Sequence, residues 1–350
     1  MKVTEESIIS SVMRSFFVSL FAVFGIMLGI IPLVLLFGAI SDKPSSRLDS
    51  YTNPTFLPNA DGYRKVLAKD APVILQIDIQ GIIGTENFNS DTVRQQLIES
   101  RENELSDNRV KAIVLNINSP GGTVTDSDAI YRMIKQYKER HQIPVYAYVD
   151  GLCASGAMYI ASAADKIYTS DSSIIGSIGV IIQFMNYSGT LEKIGAESLA
   201  LTAGQGKDSM NPLRPWKEGE EESYRALTQY TYQRFVDIVV EGRPLLKEDF
   251  LVNELGARIF SASDALKYGL IDARGKEMGN ALSDLILATD IEDEEFQVLR
   301  LDSKNWLANI LKGESPLLTG KIEHQLDLSA QGIHSLRSNV PLYYLYSPTL

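Results

Sequence analysis

The longest apolar stretch of the chain covers residues 15–41, where Phe, Leu, Ile and Val dominate and no charged side chain intervenes. At a rise of about 1.5 Å per residue, roughly 20 such residues cross a hydrocarbon core. The stretch is too long for the h-region of a cleaved signal peptide, which runs to about 7–15 residues. It is expected to be a retained membrane anchor behind a short tail, residues 1–14. Lys2 and Arg14 precede it and Lys43 and Arg47 follow it, so the flanking charges do not orient it. Residues 42–70, rich in Ser, Asp, Asn, Pro and Lys, read as a stalk.

Beyond residue 70 the pattern changes to short apolar runs that alternate with stretches of helical period. Val73–Ile79, Val110–Ile117 and Ile143–Val149 have strand composition. Between them, residues 91–104 place Val93, Leu97 and Ile98 on one helical face. A second helix, capped by Thr125 or Asp126, carries Ala129, Ile130, Met133, Ile134 and Tyr137. A third helix-like stretch follows from Ala154 to Ala164. Alternation of this kind implies a parallel α/β core whose strand C-terminal ends share one edge, where sites are usually built. Two small-residue turns fall at that edge, Asn118-Ser119-Pro120-Gly121-Gly122 and Ala154-Ser155-Gly156. After Asn211 the chain reads as helical, with Tyr224, Leu227, Tyr232, Phe235, Val236 and Val239 as a packing stripe on residues 217–242.

Composition is that of a globular protein, 45% hydrophobic and 22% charged, and the net charge of −11 argues against a nucleic-acid partner. One cysteine, Cys153, excludes a disulfide framework and reads as a structural residue. Ser155 stands at the strand-to-helix junction, where free amides favour developing negative charge. Its hydroxyl needs a base. The three histidines, His141, His324 and His334, fall in polar segments and build no triad. Lysine is the other option. Lys207, after Gly204-Gln205-Gly206, is a candidate, and such a base must be neutral to accept a proton. Gly121-Gly122 and the amide of Gly156 offer an oxyanion hole.

The ordered motifs Asn118-Ser119-Pro120-Gly121-Gly122, Ala154-Ser155-Gly156, Gly176-Ser177-Ile178-Gly179-Val180 and Gly206-Lys207-Asp208 resemble the signal peptide peptidase A (protease IV) family in its short, single-repeat form. The likeness runs from about Val73 to Asp272 and includes Tyr268-Gly269-Leu270-Ile271-Asp272. Ala157 and Met158 depart from it. The resemblance implies a ClpP/crotonase-like spiral of β-β-α units over residues 71–295, with a helical C-terminal part and one transmembrane helix ahead of it. It also implies a ring or dome of identical subunits and a Ser–Lys dyad of Ser155 and Lys207, with Ser177 orienting the lysine. Whether the dyad forms within or between subunits stays open. The activity implied is a serine endopeptidase acting on signal-peptide remnants and other apolar peptides, without metal or organic cofactor. The implied location is the bacterial cytoplasmic membrane, in contact with its lipid, with the catalytic domain on the extracytoplasmic side. A crotonase-type acyl-CoA enzyme and a catalytically silent membrane scaffold are the alternatives. The chain after Asp272 matches nothing that the resemblance carries over, and residues 296–350 read as a C-terminal extension. Its apolar run Val340–Tyr346 is expected to pack on its own domain, with membrane contact or a neighbour's peptide groove as alternatives.

Overall fold

The computed structural model describes residues 14–26, 28–29, 51–68, 70–289, 291, 296–303 and 343–345. It divides into two units, Met1–Asp49 and Ser50–Leu350. In the first, residues 14–26 and 28–29 are helical, and Phe21 and Leu28 are exposed. Among the described residues no helix is long and apolar enough to cross a membrane. Residues 30–50, which hold the rest of the expected anchor and the start of the stalk, lie outside the described residues. So do His324 and His334.

The second unit is built on an eight-stranded sheet. Its strands are β1 (Thr52–Leu57), β2 (Val73–Gln80), β3 (Val110–Ser119), β5 (Val145–Ala154), β6 (Lys166–Thr169), β7 (Ile174–Gly176), β8 (Ile259–Ser261) and β9 (Gln297–Ser303). The order is β1-β9-β2-β3-β5-β7-β8, with β6 paired to β5. The pairs among β9, β2, β3, β5, β6 and β7 are parallel, and the outer strands β1 and β8 are antiparallel to their neighbours. β2 and β3 are buried along almost their whole length, which explains their near-continuous apolar sequences.

Two short strands lie off this sheet, β4 (Gly121–Thr123) and β10 (Tyr343–Leu345), paired antiparallel. Helices α1 (Ser90–Glu99), α2 (Val124–His141), α3 (Gly156–Ala161) and α5 (Glu222–Gly242) surround the larger core, in which Ile77, Ile117, Ile130, Tyr159 and Phe235 are fully buried. Helices α4 (Ser188–Lys193) and α6 (Ala262–Lys267) are short, and α7 (Met278–Leu287) packs Leu282 and Leu285 on a second cluster around Ile74, Val114 and Tyr146.

Several sequence-based boundaries move. Residues 52–57 and 297–303, expected in the stalk and the extension, are strands of the main sheet. The reason is that β2 is buried and the backbone N–H and C=O groups along its free edge need a strand to pair with. β9 takes that place in parallel and β1 pairs with β9 in turn. Residues 304–342 of the extension lie outside the described residues. The cap of α2 is Thr123, whose Oγ1 accepts the Asp126 N–H. On α1, Ile98 faces solvent, whereas Val93 and Leu97 are buried. Only the C-terminal half of the α5 stripe is core, because Leu227 is exposed and Tyr224 half-buried while Phe235, Val236 and Val239 are buried.

Candidate active site

Ser155 follows the last residue of β5 and directly precedes α3. Its backbone has φ 57° and ψ −119°, a conformation in which a Cβ is costly. Neighbouring structure holds it there. Its N–H donates to the Gly176 carbonyl at 2.8 Å, and its carbonyl accepts the Tyr159 N–H at 3.0 Å. Tyr159 is itself fixed, with its hydroxyl on Asp128 at 2.7 Å and its ring between Tyr131 and Phe235. The Ser155 side chain makes no helix-capping bond. The residue is 1% exposed, so the hydroxyl is covered by its own chain. The Gly156 amide is the first of α3 and has no intrahelical acceptor.

β4 supplies the second wall. The Ile83 N–H donates to the Gly121 carbonyl at 2.9 Å, and the Thr123 N–H donates to the Ile83 carbonyl at 3.0 Å. Successive residues of a strand direct their N–H and C=O to opposite sides. The Gly122 amide therefore points away from Ile83, to the side on which β10 lies with Tyr344 opposite Gly122. Only glycine fits here, since a Cβ would stand 1.9 Å from the Ile83 carbonyl oxygen. The Gly121 amide is not a free donor. It is bound to Ser119 Oγ at 3.1 Å, which removes it from the oxyanion hole that its sequence position suggested.

Ser177 lies beside Ser155 through Gly176, whose carbonyl holds the Ser155 amide. Its φ is 52° and it is 8% exposed, with its N–H on the Arg258 carbonyl at 2.8 Å. Gly176 makes this closeness possible, because at φ 123° its Cβ would meet the Arg258 oxygen at 2.5 Å. The structure thus brings Ser155, Gly156, Gly122 and Ser177 to the same edge of the sheet. It does not bring Lys207 to them. Lys207 is exposed in the turn 204–210, and among the described residues no hydrogen bond joins it to Ser155 or Ser177.

Sequence reasoning missed Arg214. Its guanidinium binds Asp208 Oδ2 and both oxygens of Glu220, each bond 3.1 Å or shorter, and also the carbonyls of Asp208 and Pro215. An arginine six residues after a motif aspartate carries no signal of its own, because only the loop's fold brings the two together. The rejected nucleophile and base behave as expected from their types. Cys153 is fully buried, and burial pushes its thiol up to about 12. His141 ends α2, far along that helix from the Ser155 edge. Burial and the charges of Arg101 and Arg140 hold its imidazole below the ordinary range.

The fold and this edge define a class of protein, a parallel α/β unit presenting a serine at positive φ where a strand passes into a helix. The profile described as Peptidase family S49 matches residues 137–285, and that of Clp protease matches residues 76–175. A putative protease of Synechocystis is 33% identical over 248 residues, 70% of this chain and 85% of that protein. A putative protease of Methanocaldococcus jannaschii is 35% identical over 201 residues, and a putative signal peptide peptidase SppA of Enterococcus faecium is 33% identical over 212. These two matches cover 57% and 58% of this chain and 63% and 60% of the relatives' own lengths, less than two thirds of each. The chain belongs to the signal peptide peptidase A family, peptidase family S49, and its α/β fold is ClpP-like.

Proposed function

We propose that this chain is a serine endopeptidase in which Ser155 is the nucleophile and Lys207 the general base. The observation that carries the reading is the backbone of Ser155, held at positive φ directly before the first amide of α3, that of Gly156. Neutral Lys207 takes the Ser155 proton as Oγ attacks the scissile carbonyl, and the Gly122 and Gly156 amides receive the oxyanion. The lysine then returns the proton to the leaving amine. It next activates the water that hydrolyses the acyl-enzyme. Ser177 orients the lysine.

Lys207 has to reach Ser155, and the segment that carries it is unusually apolar for a surface. Ile194, Leu199 and Leu201 are 71%, 85% and 89% exposed. Contact with a second copy covers such a segment, and this supports an oligomer in which one subunit's lysine serves its neighbour's serine. Ser155→Ala and Lys207→Ala chains, each inert toward an apolar reporter peptide, are expected to regain activity when co-assembled. Mixed assemblies that stay inert would reject the shared dyad.

The substrate is an extended apolar peptide added as a strand to β4. Supporting this, β10 of the chain already lies there in antiparallel pairing, near α2 and α3. Deleting residues 336–350 is therefore expected to lower KM for the reporter peptide several-fold while kcat changes little. An unchanged KM would remove the groove role of this segment. Residues 15–41 anchor the protein in the membrane, with the catalytic domain on the extracytoplasmic side, as tag accessibility in intact cells would report.

A further inference from the structure

Lys207 is followed directly by a carboxylate, Asp208, and a base lysine beside a free carboxylate is poorly designed. A negative charge within about 4–6 Å favours the protonated ammonium, which cannot accept the serine proton. In this fold the Asp208 carboxylate is taken up elsewhere. Arg214 Nε donates to Oδ2 at 2.6 Å and Asn211 Nδ2 donates to Oδ1 at 2.6 Å, so both oxygens are engaged. These bonds, that of Arg214 foremost, hold the Asp208 carboxyl below the ordinary carboxylate range. Glu220, which precedes α5, anchors the same guanidinium from its far side, with its Oε1 at 2.6 Å from Nη2. Arg214 Nη2 also binds the Asp208 main-chain carbonyl.

We propose that Arg214 is a positioning residue for Lys207: it fixes the loop that carries the lysine and withholds the Asp208 charge from it. The inference rests on the reading of Lys207 as the base. A bidentate, planar cation suits the task, because it satisfies two carboxylates and two carbonyls at once while staying charged at every working pH. The charged groups that face Asp208 are Arg214 and Lys217, with Glu220 across the guanidinium. When Arg214 is lost, Asp208 is free to turn to its neighbour Lys207. The lysine then holds its proton to higher pH, and the acidic limb of the rate profile moves to higher pH.

The test uses the full chain and an apolar reporter peptide, with kcat and KM followed against pH. Arg214→Gln is expected to lower kcat about 10- to 100-fold through misplacement of the base, with KM within about twofold. Its acidic limb is expected about one pH unit higher, as for a newly exposed opposite charge. Adding Asp208→Asn to Arg214→Gln returns the limb to its wild-type position, whereas kcat stays low. Arg214→Lys, which keeps the charge but not the fork, shifts the limb less in the same direction. A limb that does not move in Arg214→Gln, or that stays displaced in the double variant, overturns the proposal. Lys207→Ala separates the two levels of the argument. If it retains the wild-type rate, the base assignment fails and the clamp with it. If it is inert while Arg214→Gln behaves as wild type, the base stands and only the clamp is lost.

Discussion

Ser155→Ala is expected to lower kcat for peptide hydrolysis by about a million-fold, the scale on which removal of a serine nucleophile acts. The residual rate is that supplied by binding and the two amides. The companion substitution Ser155→Gly is expected to be equally inert yet more stable than Ser155→Ala. The backbone at φ 57° and ψ −119° lies where a Cβ costs roughly 1–3 kcal/mol and a glycine does not. Thermal unfolding of the two inert variants, compared with wild type, reads this strain directly. A serine that serves only as a turn residue would give no loss of rate. A glycine variant no more stable than the alanine one would show that the surroundings do not hold residue 155 against its own preference.

Gly122→Ala carries the second large effect. The new methyl would stand 1.9 Å from the Ile83 carbonyl oxygen, well inside any tolerated contact, so β4 must leave residue 83. That movement takes the Gly122 amide away from the Ser155 edge. Loss of one oxyanion donor costs about 100- to 1000-fold in kcat. Displacing a packed strand adds about 1–3 kcal/mol of lost stability. Measured together, kcat should fall by the first factor and the unfolding midpoint should drop. A variant with normal kcat would show that the oxyanion is held without Gly122. The same substitution also unseats the strand edge on which β10 lies, so hydrogen exchange at residues 121–123 should quicken.

Much of this architecture was legible in the chain. The apolar runs at 73–79, 110–117 and 143–149 are strands, because a buried parallel sheet demands mostly apolar side chains; the polar exceptions Gln76 and Asn116 both bond to Asp78. The junction serine, the double glycine and the second glycine-flanked serine all come to one edge, because strand C-termini in such a sheet share an edge. β1 and β9 were less legible. β9 places Arg300 and Asp302 on the face of Val298, opposite Leu299 and Leu301, and the ion pairs that make those charges tolerable, Arg300 with Asp78 and Asp302, join residues 222 positions apart or lie two positions along the same strand.

The candidate site divides along the same line. Residue type and order set the expectation that the base for Ser155 is not a histidine. They also determined that small residues must surround it and that Lys207 stands in the matching motif. These are local matters of hydroxyl chemistry and glycine freedom. Only the tertiary structure decided which amides are free. Gly121 is spent on Ser119 Oγ, whereas Gly122 faces the side on which β10 pairs, a distinction that depends on where Ile83 docks. Tertiary structure also decided that Arg214 captures the carboxylate beside Lys207. It placed a distant strand, Tyr343–Leu345, against β4. Long-range pairing and the spending of individual hydrogen bonds depend on which segments meet, and a linear pattern of apolar and polar residues does not encode that.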